Sequence, residues 1–279
     1  MNDSNLSDTR ITRCFANLAK QNRKAFVAFL TGGDPDYQTS RQLVSGLPAA
    51  GVDLIEIGMP FSDPMADGPS IQVSSQRALR NGMTLVKTLD LVRAFRKTDD
   101  ETPIVLMGYY NPIYRYGPHR FVQECAEIGV DGLIIVDLPP EEDRELCEPA
   151  LTAGLHWVRL VTPSTDDDRI DAVLHNVSGF VYYISVLGVT GTRKAMADHI
   201  EVAVSRLRKY TSLPIAVGFG IKTPEHARSV AEHADGIVVG SAIVDMVKAN
   251  LDETGKPNTE LVDRVHDFVR DIAKGVDSA

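Results

Sequence analysis

Only three of the 279 residues are cysteines, Cys14, Cys125 and Cys147; they lie far apart, with no CxxC pair. An odd, scattered set excludes a disulfide framework and fits reduced thiols in a cytoplasmic protein. No apolar run approaches the roughly 18 residues that a membrane-spanning helix needs, and the N-terminus, MNDSNLSDTR, is polar and acidic rather than a signal peptide. Positive charge is in deficit. With 29 lysines and arginines against 38 acids, the net charge of -9 argues against nucleic acid as a partner, because phosphate-backbone binding wants a basic face. The seven histidines, His119, His156, His175, His199, His226, His233 and His266, show neither HxH nor HExxH spacing. No metal site is therefore expected, and the histidines read as surface or helix-end residues. A dinucleotide fingerprint, a serine in a nucleophile elbow and a cysteine near a histidine are missing as well.

What is present is a repeat of alternating patterns. Eight short apolar runs, at 26–30, 54–57, 104–107, 132–137, 157–161, 180–185, 214–217 and 236–239, are near-continuously hydrophobic, as strands buried on both faces are. Between them lie segments of helical spacing at 39–50, 84–95, 119–127, 141–153, 167–175, 199–210 and 224–233. Strand–helix alternation on this scale predicts a single α/β domain over 1–279, a (β/α)8 TIM barrel, with an open doubly wound sheet as the alternative. Extra helices are expected at 11–20 and 259–274, and a short one after the eighth strand.

In a barrel the loops after strand C-termini build the site. The longest, after the second run, reads EIGMPFSDPMADGPS from Glu56 to Ser70. Glu56 lies inside an apolar run with no basic residue near it in sequence. A carboxyl so desolvated has a raised pKa and is equipped for proton transfer, although a buried pair with a distant cation would look the same. Asp67 and Asp63 are candidate acids or plain turn residues, and Pro60, Pro64 and Pro69 stiffen the loop that carries them. Three glycine-bearing loops follow the sixth, seventh and eighth runs: Gly188-Val189-Thr190-Gly191-Thr192, Gly218-Phe219-Gly220-Ile221 and Gly240-Ser241-Ala242. Glycine admits close backbone approach and helix N-termini offer free amides, so adjacent loops of this kind predict a phosphate site. Asp137, Tyr109, Tyr110, Asn111, Tyr182, Phe29 and Phe219 are further candidates for the mouth or the pocket wall.

Taken in order, FVAFLTGGDP, GVDLIEIGMPFSDPMADGPSIQ, LMGYYNPI, DGLIIVDLPPEE, GVTGTR, VGFGIKTPEHA and GSAIV resemble the tryptophan synthase alpha chain from about residue 11 to residue 270. That resemblance implies retro-aldol cleavage of indole-3-glycerol phosphate to indole and glyceraldehyde 3-phosphate. It makes Glu56 and Asp67 the catalytic acids, and Gly191, Gly220, Gly240 and Ser241 the phosphate site. Phe29, Tyr109, Ile134, Tyr182, Thr190 and Phe219 would lie around the indole or the closing loop. It implies no cofactor in this chain, and a pyridoxal-phosphate beta chain as partner in an alpha2beta2 tetramer. One departure bears on loop closure: Ser185-Val186-Leu187-Gly188 lacks the arginine that family members often carry there. The residues alone leave open a related sugar-phosphate isomerase or a non-enzymatic phosphate-binding subunit.

Overall fold

In the computed structural model, residues 6–184, 193–218 and 220–279 are described. The strands are β1 (Ala25–Thr31), β2 (Leu54–Gly58), β3 (Ile104–Gly108), β4 (Gly132–Ile135), β5 (His156–Trp157), β6 (Leu160–Val161), β7 (Val181–Ile184), β8 (Ile215–Gly218) and β9 (Gly236–Val239). All pair in parallel, in the order β5-β4-β3-β2-β1-β9-β8-β7-β6.

The fifth apolar run thus appears as two short strands, and these two are the ends of the sheet order. The residues between them join those ends: the Val158 amide donates to the Leu133 carbonyl at 3.0 Å, and the Arg159 carbonyl accepts from the Tyr182 amide at 3.1 Å. One stretch of chain therefore serves both neighbours, and the sheet closes as a (β/α)8 barrel with eight staves, not an open sheet.

Side-chain parity divides the core in two. Val27, Leu54, Val105, Ile134, Val158, Phe180, Ala216 and Val238 fill the barrel interior, which α1 (Arg10–Lys20) plugs from below with Ile11, Phe15 and Leu18. The alternate positions, such as Phe26, Ile55, Ile57 and Leu106, face the surrounding helices. Glu56 has the parity of Leu54 and so points inward, in register with Phe29 on one side and Val105 on the other.

The N-terminal end of the barrel repeats one device. Asp53, Asp131 and Asp235 each stand just before a strand and accept the amide of the neighbouring strand's start, from Phe26 (2.9 Å), Ile104 (2.7 Å) and Ile215 (2.7 Å) respectively. Each also meets arginine: Arg23 with Asp53, Arg96 and Arg10 with Asp131, and Arg208 with Asp235.

Several expected elements change shape. The second βα loop is shorter than it reads, because a helix, α3 (Pro69–Arg80), starts inside it. Gly68 is its N-cap and Pro69 its first residue. A further helix, α5 (Tyr110–Tyr116), follows β3, and the expected helix at 141–153 is a 3-10 turn at Pro140–Glu145 followed by α7 (Cys147–Thr152). His156 is not at the surface. It is buried on β5, where its Nε2 lies 2.7 Å from Thr9 Oγ1 and burial pushes its pKa down to about 4. Cys14, Cys125 and Cys147 are free thiols, the last two buried.

Asp131 is 6% exposed and holds two guanidiniums, so removing it strands buried charge as well as the Ile104 amide. We expect Asp131→Ala to cost about 3–5 kcal/mol by urea denaturation. Asp235→Ala, whose ion pair is about one-third exposed, should cost far less.

Candidate active site

A cavity of about 230 Å³ opens at the C-terminal end of the barrel. Glu56, Asp67, Phe29, Tyr182, Gly220, Gly240 and Ser241 all line it, so the structure brings these sequence candidates together. Tyr109 borders a small annex that also touches Phe29 and Asp67. Ile134 lies in the interior layer and faces a neighbouring cavity, beside Val136 and Leu160, which border both. Asp137 borders only that neighbour, accepting the Tyr110 amide at 2.8 Å. Thr190, Gly191 and Phe219 lie outside the described residues, as does most of the Gly188–Lys194 loop. Sequence reading missed Met107, Val136, Leu160, Ile184 and Ile71. Four of these continue the inward parity of their strands, the signal that could have found them.

Glu56 is 1% exposed, and its Oε2 has no hydrogen-bond partner among the described residues. Burial first, and the nearby charge of Asp67 second, push its pKa up to about 8. The loop after β2 returns Asp67 to the same cavity. The Asp67 amide donates to the Pro64 carbonyl at 3.2 Å, and Gln72 Nε2 donates to the Asp67 carbonyl at 2.8 Å. The Tyr109 hydroxyl accepts the Ala66 amide at 3.0 Å and hydrogen-bonds the Asp67 carboxylate. Burial raises the Asp67 pKa to about 6, with the Tyr109 bond acting against that rise. At neutral pH, then, burial favours the neutral form of Glu56, while Asp67, with the lower pKa, is the one that ionises. Two carboxyls of opposite state across one cavity are an acid and a hydrogen-bond acceptor.

The opposite end of the cavity is backbone. Helix α11 (Ser241–Ala249) starts at Gly240 with no side-chain cap, and its first intrahelical bond runs from the Val244 amide, so that among the described residues its first-turn amides are free for an anion. Glycine is also required beneath the rings. A β-carbon on Gly58 would fall 2.7 Å from Phe29 Cζ, and one on Gly218 would fall 2.8 Å from the Tyr182 hydroxyl. Among the described residues, no cluster of three or more His, Cys, Asp or Glu could hold a metal ion.

Residues 15–275 match the tryptophan synthase alpha chain family. The chain belongs to that family. It is similar to the tryptophan synthase alpha subunit of Legionella pneumophila str. Paris, with 35% identity, 98% of this chain and 100% of that chain covered, and a TM-score of 0.89. A chain of the Mycobacterium tuberculosis tryptophan synthase, in an open form, is 30% identical over 96% of this chain and 99% of its own, with a TM-score of 0.85. A chain from Aquifex aeolicus VF5 is 36% identical over 96% of this chain and 99% of its own, with a TM-score of 0.84. Tryptophan synthase alpha chains are carbon–carbon lyases. They carry out the alpha reaction of tryptophan biosynthesis, cleaving indole-3-glycerol phosphate to indole and glyceraldehyde 3-phosphate, with indole passed to a beta subunit; this chain is such a lyase.

Because the folded state holds a proton on Glu56 that the unfolded state releases, Glu56 opposes folding above its ordinary value of 4.5, and increasingly so up to about pH 8. Glu56→Gln removes that penalty, which is on the order of a few kcal/mol. We expect the melting temperature of Glu56→Gln, relative to the wild type, to rise between pH 5 and pH 8. A pH-independent difference would contradict the buried, proton-holding state.

Proposed function

We propose that Glu56 is the proton carrier of the alpha reaction, that Asp67 stabilises the indole nitrogen, and that the amides and hydroxyl at Gly220, Gly240 and Ser241 hold the phosphate. The observation that carries this reading is the buried, unpartnered carboxyl of Glu56 in the same cavity as Asp67.

Protonated Glu56 gives its proton to indole C3, and positive charge spreads to the ring nitrogen. The Asp67 carboxylate accepts the N–H hydrogen bond, which strengthens as that charge develops. The C3–C3′ bond then breaks. Its electron pair returns to the ring, the C3′ hydroxyl proton goes to the Glu56 carboxylate, and the side chain leaves as glyceraldehyde 3-phosphate. Glu56 ends protonated, so the cycle closes. Phosphate held at the far end supplies orientation through binding energy remote from the reacting bond. Phe29, Tyr182 and Met107 offer apolar surface for the ring, and Gly191, Thr190 and Phe219 complete the reading from the family motif.

No cofactor enters this scheme. Pyridoxal phosphate belongs to a beta chain, the proposed partner in an alpha2beta2 assembly, and the cytoplasm is the proposed setting. Met65, 85% exposed, directly precedes the cavity-lining Ala66, and Tyr114, 65% exposed, lies on α5 after β3; both offer apolar surface for such a partner to cover.

The test is release of free indole from indole-3-glycerol phosphate, with and without a beta chain. We expect Glu56→Gln to lower turnover by about 10²–10⁴-fold while ligand binding survives. Turnover near the wild-type level would remove Glu56 as proton carrier. The profile of kcat/KM should be bell-shaped: activity falls below about pH 6 as Asp67 gains a proton, and above about pH 8 as Glu56 loses one. Gly220→Asp should raise KM at least about tenfold, by placing a like charge against the phosphate, while changing kcat at saturation far less.

A further inference from the structure

Helix α3 begins two residues after Asp67 and faces its neighbours with a polar stripe. Ser70, Ser74, Arg77 and Asn81 recur at helical spacing, and each bonds a residue outside the helix. Ser74 Oγ lies 2.6 Å from Thr31 Oγ1 in a buried contact. Arg77 grips Asp34 with two bonds, of 2.7 and 2.8 Å. Asn81 donates to the Pro35 carbonyl. Nearest to Asp67, the Ser70 hydroxyl donates to Asp245 Oδ1 at 2.7 Å, and Asp245 belongs to α11, the helix whose N-terminus closes the anion end of the cavity. Neither Ser70 nor Asp245 lines the cavity.

Apolar packing lets a helix slide along its axis at little cost, whereas directional hydrogen bonds fix its axial position. Three of the four contacts tie α3 to β1 and the loop after it. The fourth spans the two ends of the site. We propose that the Ser70–Asp245 bond is a strut between the segment carrying Asp67 and the phosphate-end helix, and that Asp245 is a positioning residue for the retro-aldol reaction. This rests on Asp67 being the acceptor of the indole N–H. Phosphate bound at α11 fixes one end of the substrate. The strut then sets the distance from that helix to the carboxylate that must meet the ring. Its loss leaves the amides able to bind phosphate but leaves Asp67 poorly placed in the transition state, so the effect falls on kcat and not on KM.

The experiment measures turnover of indole-3-glycerol phosphate and binding of glycerol 3-phosphate in Asp245→Ala, Asp245→Asn, Ser70→Ala and the Ser70→Ala/Asp245→Ala double variant, with Asp67→Asn as reference. We expect Asp245→Ala and Ser70→Ala each to lower kcat about tenfold, equal to one hydrogen bond's worth of transition-state stabilisation. KM and glycerol 3-phosphate binding should stay within about twofold, since the α11 amides are untouched. The double variant should lose no more than either single one. Asp245→Asn should recover most of the rate, because its amide oxygen still accepts from Ser70. The acid limb should move down from about pH 6 as Asp67, facing Glu56 and Tyr109 in the intact site, gains solvent. Ser70→Ala removes a single oxygen and carries the test if Asp245→Ala fails to fold. Additive losses with an unmoved acid limb, or an Asp245→Asn as slow as Asp245→Ala, would overturn the strut. A slow Asp67→Asn beside wild-type rates in Asp245→Ala and Ser70→Ala removes the strut alone. A fast Asp67→Asn removes the acceptor role and the strut with it.

Discussion

Everything the site can do follows from one carboxyl held away from water with no cation beside it among the described residues. Glu56 occupies an inward position of β2, between Phe29 and Val105, above a floor of Leu54, Ile134 and Phe180. In that setting the neutral acid is the stable form, and the nearby charge of Asp67 pushes the same way. An acid that stays protonated near neutrality yet can give up its proton to a carbon base is what a carbon–carbon lyase without an intrinsic electron sink needs. The fold supplies it by strand parity, with no special loop.

The two ends of the cavity solve different problems by different means. At the ring end, flat side chains must lie close to the barrel wall, and Gly58 and Gly218 make room where any β-carbon would collide with Phe29 or Tyr182. At the other end, the first-turn amides of α11, without a side-chain cap, would hold the proposed phosphate at no cost in side-chain entropy. Helix α3 joins the two ends. Its contact face is polar where most helices are apolar, and each bond trades hydrophobic burial for a defined position.

That polar face also explains what the sequence conceals. The strands were legible because both faces are buried and their apolar runs are near-continuous, and Glu56 stood out as an acid inside such a run and not at its end. Helix α3 was not, because Ser70, Ser74, Arg77 and Asn81 occupy the stripe where a periodicity reading looks for leucine and valine. The fifth stave was read as continuous because Trp157, Val158, Leu160 and Val161 are all apolar; the change of pairing partner at Val158–Arg159 is a matter of barrel closure, which no local pattern records. His156 was misplaced for a similar reason. Its partner, Thr9, lies 147 positions away in the chain. Asp67 was legible as a candidate, but its contact with the Tyr109 hydroxyl was not, since that depends on where the loop turns back over the barrel mouth.

The opposite faces of the barrel show why Glu56 must lack a cation. At the N-terminal end, Asp53, Asp131 and Asp235 are each held by arginine and by a backbone amide, and those bonds are spent on joining strands. Burial raises the pKa of Asp131 as it does that of Glu56, but Arg96, Arg10 and the Ile104 amide all act against the rise. A guanidinium beside Glu56 would do the same. It would favour the carboxylate in the resting enzyme, relieve the folding penalty and leave no proton for the step proposed for Glu56. The same residue chemistry therefore yields a structural anchor at one end of the barrel and an acid at the other, and the presence of a cationic partner is what separates them.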